Sequence, residues 1–424
     1  MKIALRCVCA VSLAGVFVSR AAADPIGTVF YIDMENHNLT QPNSVTSPAP
    51  LLNNPAAPYL NSLMTPGNPN AAQTSWANNY FNAAAGVHPS LPNYLWQEAG
   101  TNFGVNNDNQ PFGPGGANQG NATSLSGLLQ ANGIPWKSYQ EDTDINLTTG
   151  KVLPQSQWTV PLNNQSGTFA SGTNPYNGSN QYNFATKHDG QLYFNATNGG
   201  NDTSPSNPEA SHYAPLQQLA SDLASNNLGR YNLITPNQFN DMHTALTAGF
   251  TYNGTHYTGD LAAIAQGDNF LSMIVPMIMN SQAYKNNGAI VIWFDETEGG
   301  DTKQFTLPEI VNSPLAKGNA YLSTLNYTHS SDLKALQELF NVYGPNGTFL
   351  GDAGTPGMND LADFFVPGAL AVPEPSSLAL CTLGAACLAA WGWRKRQANA
   401  AGDSFPMVAA SGLTGRRKSR RPGC

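Results

Sequence analysis

The chain reads as an α/β protein built on a mostly parallel sheet flanked by helices, and three observations predict this. Short continuous apolar runs recur, the clearest being Gly288-Ala-Ile-Val-Ile-Trp-Phe294, as expected of strands covered on both faces. These runs alternate with stretches of helical spacing, the pattern of a sheet with helices on both sides. Acidic residues follow directly on three of the runs, the place where open α/β sheets bind their ligands.

The elements follow in order. Gly27-Thr-Val-Phe-Tyr-Ile-Asp33 is the first strand. Between Ala122 and Asn132, Leu125, Leu128 and Leu129 have helical spacing, and Ile134 to Tyr139 is extended. From Leu216 to Leu228 a helix carries Leu216, Leu219, Ala220 and Leu223 on one face, and Tyr231-Asn-Leu-Ile-Thr235 returns to strand. Leu261 to Tyr284 predicts a long helix that Pro276 bends or divides. The Asn/Gly-rich stretches 102–121 and 162–210 predict long surface loops. There is no internal repeat, and residues 24–370 are expected to form one domain.

Composition narrows the function. Of 424 residues 41% are hydrophobic and only 11% charged, with Asn, Gly, Ser, Thr and Pro making up the difference. That excludes charge-driven disorder and a polytopic membrane protein. Between residues 21 and 393, 8 Lys and Arg face 26 Asp and Glu, a net charge of −18. So acidic a body does not bind nucleic acid. All five cysteines (Cys7, Cys9, Cys381, Cys387 and Cys424) lie near the ends. The body therefore needs no disulfide, and any metal in it takes oxygen or imidazole ligands.

Both ends read as addresses. Residues 1–23 have the form of a secretory signal peptide: Lys2 and Arg6, an apolar stretch from Val8 to Val18, then Ala21-Ala22-Ala23 before Asp24. At the other end Val372-Pro-Glu-Pro-Ser-Ser377 precedes an apolar run to Trp393, 18 residues counted from Ser376, and then Arg394-Lys395-Arg396. The run just suffices to span a bilayer, and the cations would hold its end in the cytoplasm. Residues 371–397 resemble the PEP-CTERM sorting signal of Gram-negative bacteria. The resemblance implies an exosortase-type processing enzyme as partner and membrane attachment through the C-terminal helix before processing. It implies export through the inner membrane to the cell envelope, surface or extracellular matrix. Such signals normally stop at the basic cluster, whereas here 28 residues follow Arg396, and residues 398–424 form a basic tail.

The chemistry is expected at the strand ends. Asp33-Met-Glu35-Asn36-His37 follows the first strand, Asp241-Met-His243 lies shortly after Thr235, and Asp295-Glu296-Thr-Glu298 follows Phe294. Any one cluster reads as a helix cap or solvated turn. Three on one sheet edge would crowd negative charge that cations must neutralise, which predicts a divalent metal ion such as Mg, Mn, Ca or Zn. His88-Pro-Ser90-Leu-Pro-Asn93-Tyr94 offers a nucleophile, a serine between two prolines in a rigid turn, although alone it reads as an ordinary Pro-rich loop. His212 and His256 lack acidic company and are expected at the surface, and His37 is expected to be structural.

Six motifs in one order carry a resemblance: Met34-Glu-Asn-His37, His88-Pro-Ser-Leu-Pro-Asn-Tyr94, Lys187-His-Asp189, Ile234 to His243, Ile292-Trp-Phe-Asp-Glu296 and His329-Ser-Ser331. Together they resemble the bacterial and fungal phosphoesterase family of secreted acid phosphatases and phospholipases C, which is similar in fold to the alkaline phosphatase superfamily. The nearest branch is that of acid phosphatases and phosphatidylinositol-3-phosphatases. Ser90-Leu-Pro-Asn93 also resembles the Thr-Phe-Pro-Asn nucleophile element of nucleotide pyrophosphatases.

The resemblance implies Ser90 as nucleophile and Glu35, Asn36, Asp295 and Glu296 as metal ligands. His188 and His243 would contact the phosphoryl group or leaving oxygen, and Lys187 and Asn93 would bind substrate. Asp241 and His329 stand either at a second metal or behind the first, and His329 equally suits the capped start of a helix through Phe340. The expected activity is metal-dependent phosphomonoester hydrolysis through a phosphoserine. The alternatives are a phospholipase C-type phosphodiesterase, or a non-catalytic surface or matrix protein.

Overall fold

A computed structural model describes residues 25–370, which belong to one compact unit. The proposed signal peptide, sorting segment and basic tail lie outside the described residues. The central sheet has eight strands: β1 (Val29–Met34), β2 (Thr74–Tyr80), β3 (Trp136–Gln140), β4 (Tyr213–Pro215), β5 (Tyr231–Thr235), β6 (Ala289–Phe294), β7 (Leu307–Asn312) and β8 (Tyr321–Ser323), in the order β8-β2-β7-β6-β1-β5-β3-β4. All neighbours are parallel except β7, which runs antiparallel to both β6 and β2. The mostly parallel α/β sheet is thus present, with one reversed strand. The continuous apolar runs became β1 and β6 at its centre, buried at every residue.

Side-chain alternation along β1 assigns the helices to the two faces. Tyr31 bonds Asp332 of the helix His329–Phe340 (α3), and Asp33 accepts from Gln97 Nε2 of the helix Ser90–Ala99 (α1) at 2.9 Å. Met34 points the other way, against Gly267 of the helix Asp260–Met279 (α2). Trp96 Nε1 ties α1 to α3 by donating to Ser330 Oγ at 2.8 Å.

Three expectations need correcting. Pro276 does not divide the long helix. α2 runs through it to Met279, and the break falls at Asn280 and Ser281 before a short turn, Gln282–Lys285. The heptapeptide around Ser90 is not a free Pro-rich turn but the entry to α1, with Pro89 as N-cap and Pro92 inside the first turn, where a missing N–H costs least. Residues 162–210 are not all surface loop. They include a hairpin, Gln165–Thr168 with Gln181–Phe184, and the segment from Phe184 to Phe194 is mostly buried. Gly190 makes that burial possible, since a Cβ there would lie 2.3 Å from the Tyr94 carbonyl oxygen.

Candidate active site at the carboxyl end of the sheet

The register of β1 brings three clusters together. Met34 pairs with Phe294 across the parallel β1–β6 ladder and Ile32 with Ile234 across β1–β5, so Glu35, Asp295 and the 236–243 segment leave the same sheet edge. β1 lies between β6 on one side and β5 on the other, so both neighbouring strands bring their following segments to the same edge. Glu35 is held at its base by its own amide, which donates to the Asp241 carbonyl at 2.8 Å.

Ser90 is the first residue of α1 and is almost fully buried. Its Oγ lies 3.0 Å from Glu35 Oε2, 3.4 Å from Glu296 Oε1 and 3.3 Å from Lys187 Nζ. Asn93 supports this entry from inside, its amide donating to the Val87 carbonyl at 3.1 Å and to the Pro89 carbonyl at 3.4 Å. One turn after Ser90, Tyr94 donates to Glu35 Oε1 at 2.6 Å.

His188 stacks on Tyr94, ring centroids 5.5 Å apart. Its Nε2 lies 3.1 Å from Glu35 Oε1 and its Nδ1 3.1 Å from Asp241 Oδ2. Neither approach has hydrogen-bond geometry, so both ring nitrogens and Asp241 Oδ2 are buried without a hydrogen-bond partner. His243 stands beside it at 5.6 Å between ring centroids, with Nε2 3.3 Å from Lys187 Nζ and its amide donating to Asp241 Oδ1 at 2.7 Å.

Glu35, His188 and His243 each present one ligand-type atom within 4.8 Å of the others. Asn36 Oδ1 and Asp295 Oδ2 are also buried without a hydrogen-bond partner. Such a collection is costly unless a cation completes it. The nitrogen–oxygen donor set therefore fits a divalent ion such as Zn or Mn.

Electrostatics agree with that fit. Burial, and next the charge of Asp295, push Glu35 well above the usual carboxylate range, and burial does the same to Asp241. Asp295 is raised by burial and by Glu296. Burial, then Lys187, hold His188 well below its ordinary value and His243 down at about 4. Neutral imidazoles are the ligating form. Burial alone would lower Lys187, but Glu35 and Asp108 outweigh it and hold the ammonium above its ordinary value.

The remaining expected residues have other partners. Asn36, at a positive φ of 50°, donates its backbone N–H to Asp295 Oδ1 at 3.0 Å. Glu296 turns to His88, and His88 Nε2 meets Asp301 Oδ1 at 2.9 Å. Hydrogen bonding to Glu296 raises His88 to about 9, against the effect of burial. His329 is the first residue of α3, behind a capping box formed by Thr328 and Ser331. Its Nε2 bonds the carbonyl of Asp295, and burial lowers it to about 3, so it donates as a neutral ring. His37 bridges the Glu35 carbonyl and Asp260, a structural place as expected. His256 is exposed, but His212 is half-buried and stacked on Trp136.

Sequence reasoning gave no role to Tyr94, His88 or Asp108, and it read Asp301 as a turn residue at the edge of the site that could add a charge. Ser90 and Tyr94 are four residues apart, so a helical reading of the heptapeptide would have put them on one face. Asp108 sits in an Asn/Gly-rich loop, where no local pattern marks it.

Comparison with known proteins assigns the family. The phosphoesterase family matches residues 61–343, and the PEP-CTERM protein-sorting motif matches residues 371–397. The first match contains Ser90, Lys187, His188, Asp241, His243, Asp295, Glu296 and His329, while Glu35 and Asn36 precede it. A phosphate-repressible acid phosphatase of Penicillium chrysogenum is 25% identical over 240 residues, 57% of this chain and 44% of the fungal protein. The chain thus spans less than half of that relative's length. A phosphatidylinositol-3-phosphatase of Mycobacterium tuberculosis is 24% identical over 296 residues, 70% of this chain and 74% of that protein. Among solved structures, a protein of the alkaline phosphatase superfamily from Vibrio parahaemolyticus superposes with a TM-score of 0.43 at 11% identity, over 79% of this chain and 72% of that one, too low a score to assign a shared topology. Because the family match takes in more than half of the 424 residues, the chain belongs to the phosphoesterase family of hydrolases.

Proposed function

We propose that this chain is an exported phosphomonoesterase in which Ser90 attacks phosphorus and becomes a phosphoserine. The observation that carries the reading is the placement of Ser90 Oγ, 3.0 Å from Glu35 Oε2 and 3.3 Å from Lys187 Nζ at a buried helix start. A serine hydroxyl is a weak nucleophile until a base takes its proton. Glu35 Oε2 is that base, being the acceptor of the Ser90 Oγ hydrogen bond. Lys187 stays charged and steadies the negative charge that develops on the serine oxygen.

Glu35 Oε1, His188 and His243 would hold a divalent cation, which when bound supplies Lewis-acid stabilisation of phosphoryl charge. Glu35 serves both purposes because its two oxygens face different ways, one toward Ser90 and one toward Tyr94 and His188. The two histidines were expected to assist the leaving oxygen, but their neutral state suits ligands better. Asp241 and His329 act from behind, Asp241 against His188 and His329 through the Asp295 backbone. The proton that Glu35 takes from Ser90 passes through solvent to the leaving alkoxide, which frees Glu35; in the second half-reaction Glu35 accepts a proton from the water that attacks the phosphoserine and returns it to the Ser90 oxygen as phosphate leaves.

The monoester preference is supported by the two relatives, one named an acid phosphatase and the other a phosphatidylinositol-3-phosphatase. Export is supported by the sorting motif together with the signal-like residues 1–23. The test is turnover of p-nitrophenyl phosphate and of its phosphorylcholine diester, with acid-quench mass spectrometry of the Ser90 peptide. A phosphorylated Ser90 and a strong monoester preference are expected. Preference for the diester would replace the reading by a phosphodiesterase, and no turnover of either with any divalent metal would favour a non-catalytic surface protein.

A further inference from the structure

Asp108 occupies an unusual position beside the nucleophile. It comes from the 102–121 loop, and its side chain is 31% exposed. Its Oδ1 accepts from the Leu91 amide at 3.0 Å, and its Oδ2 from Lys187 Nζ at 3.0 Å. The Leu91 N–H belongs to the first turn of α1 and has no partner within the helix. The same ammonium lies 3.3 Å from Ser90 Oγ. One carboxylate therefore takes both the backbone donor next to the nucleophile and the cation that touches it. A phosphoryl group transferred to Ser90 would need those same two donors for its equatorial oxygens.

We propose that Asp108 is a resident anion of the phosphoryl site, displaced into solvent by the substrate's phosphate group and returning as product phosphate leaves. The inference rests on the reading of Ser90 as nucleophile. A carboxylate presents two oxygens in one plane, much as a phosphoryl group presents two of its three. The two anions cannot share the donors, because like charges at contact repel. Displacement is feasible because the Asp108 side chain borders solvent, whereas Ser90 and Leu91 are buried. Asp108 in this role sets affinity rather than chemistry. It weakens binding of monoester and of inorganic phosphate together and so limits product inhibition. The competing possibility is that Asp108 only positions Lys187, and it predicts the opposite sign.

The experiment is calorimetric titration of inorganic phosphate into the full chain and into Asp108→Asn, each loaded with the same divalent cation, Mn. Exchange of a charge-assisted hydrogen-bond pair is worth on the order of tenfold in affinity. Asp108→Asn is expected to bind phosphate about tenfold tighter, with KM for p-nitrophenyl phosphate falling by a similar factor. Lys187→Met should bind it more weakly. Asp108→Ser, a second variant in the same loop, keeps the result decisive if the amide disturbs folding, which a thermal melt reports. Unchanged or weaker phosphate binding in both Asp108 variants overturns the inference while leaving the nucleophile standing. No phosphate binding by any form, combined with full activity of Ser90→Ala, overturns both.

Discussion

Two groups of buried carboxylates lie at carboxyl ends of strands in the same sheet, one strand apart, and they are solved differently. Beyond β3, Glu141 and Asp142 are fully buried, and amides meet them. Glu141 Oε1 accepts from Asn174 and Asn240 at 2.6 and 2.7 Å, and Oε2 from the Asn237 amide at 2.8 Å. Asp142 Oδ2 accepts from Asn237 Nδ2 at 2.6 Å and the Asn183 amide at 2.9 Å, leaving Asp142 Oδ1 unpaired. Beyond β1 and β6, by contrast, both nitrogens of His188, Asp241 Oδ2, Asp295 Oδ2 and Asn36 Oδ1 lack partners. The difference teaches what separates scaffold from site. Donor amides satisfy a buried acid locally and fix a loop, while acceptors and imidazoles that face one another make a donor set that a cation would complete.

The largest effect should come from Ser90, the proposed nucleophile. Ser90→Ala is expected to lower kcat by roughly 10³-fold or more with little change in melting temperature, measured with p-nitrophenyl phosphate and a thermal melt. An active Ser90→Ala protein would remove the chemical half of the comparison.

Glu35→Gln and Glu141→Gln separate the two clusters next. A chelated sample of the parent chain should gain melting temperature on addition of Zn or Mn, and Glu35→Gln should lose that gain, because linkage requires a native-state ligand set. Glu141→Gln should instead lose about 1–3 kcal/mol of stability, since its amide turns a donor toward other donors, and keep the metal response. A metal response abolished by Glu141→Gln and untouched by Glu35→Gln would invert the assignment.

A smaller and graded effect is expected from pH. Burial raises Glu98 and Asp189 to about 7 from ordinary values of 4.5 and 3.8. Between those limits the native chain holds protons that the unfolded chain has released, so stability falls as pH rises from about 4 toward 7. Melting temperatures of the chelated protein across that range should decline. A rise would mean that these carboxylates are ionised in the fold.

The smallest effect concerns support of the base. Tyr94→Phe deletes the 2.6 Å hydrogen bond to Glu35 Oε1 and should reduce kcat/KM about tenfold. Unchanged kinetics would show that the Tyr94 hydrogen bond does not set the position of Glu35.

Much of this was legible in the chain. Gly288–Phe294 and Tyr231–Thr235 are apolar runs short enough to be strands, and they are strands. Glu35, His188, His243 and Ser90 were named from order and motif, and they meet. What escaped notice was short or amphipathic. β2 reads Thr-Ser-Trp-Ala-Asn-Asn-Tyr and β8 only Tyr-Leu-Ser, so neither carries a run strong enough to stand out. β7 contains a proline and a fully buried Glu309, whose burial depends on packing that local pattern does not show.

The amino-acid order by itself settled the class of fold, the acidic body, the absence of cysteine from residues 24–370 and the acidic clusters that follow the strands at one sheet edge. These follow from periodicity and composition, which are local properties. Only the tertiary structure decided which atoms face which. Glu296 went to His88, His188 and His243 went to Glu35, and Asp108 went to Lys187 and the Leu91 amide. Those choices depend on strand register and on close approaches such as Gly190 to α1, where a shift of one residue turns a side chain to the opposite face.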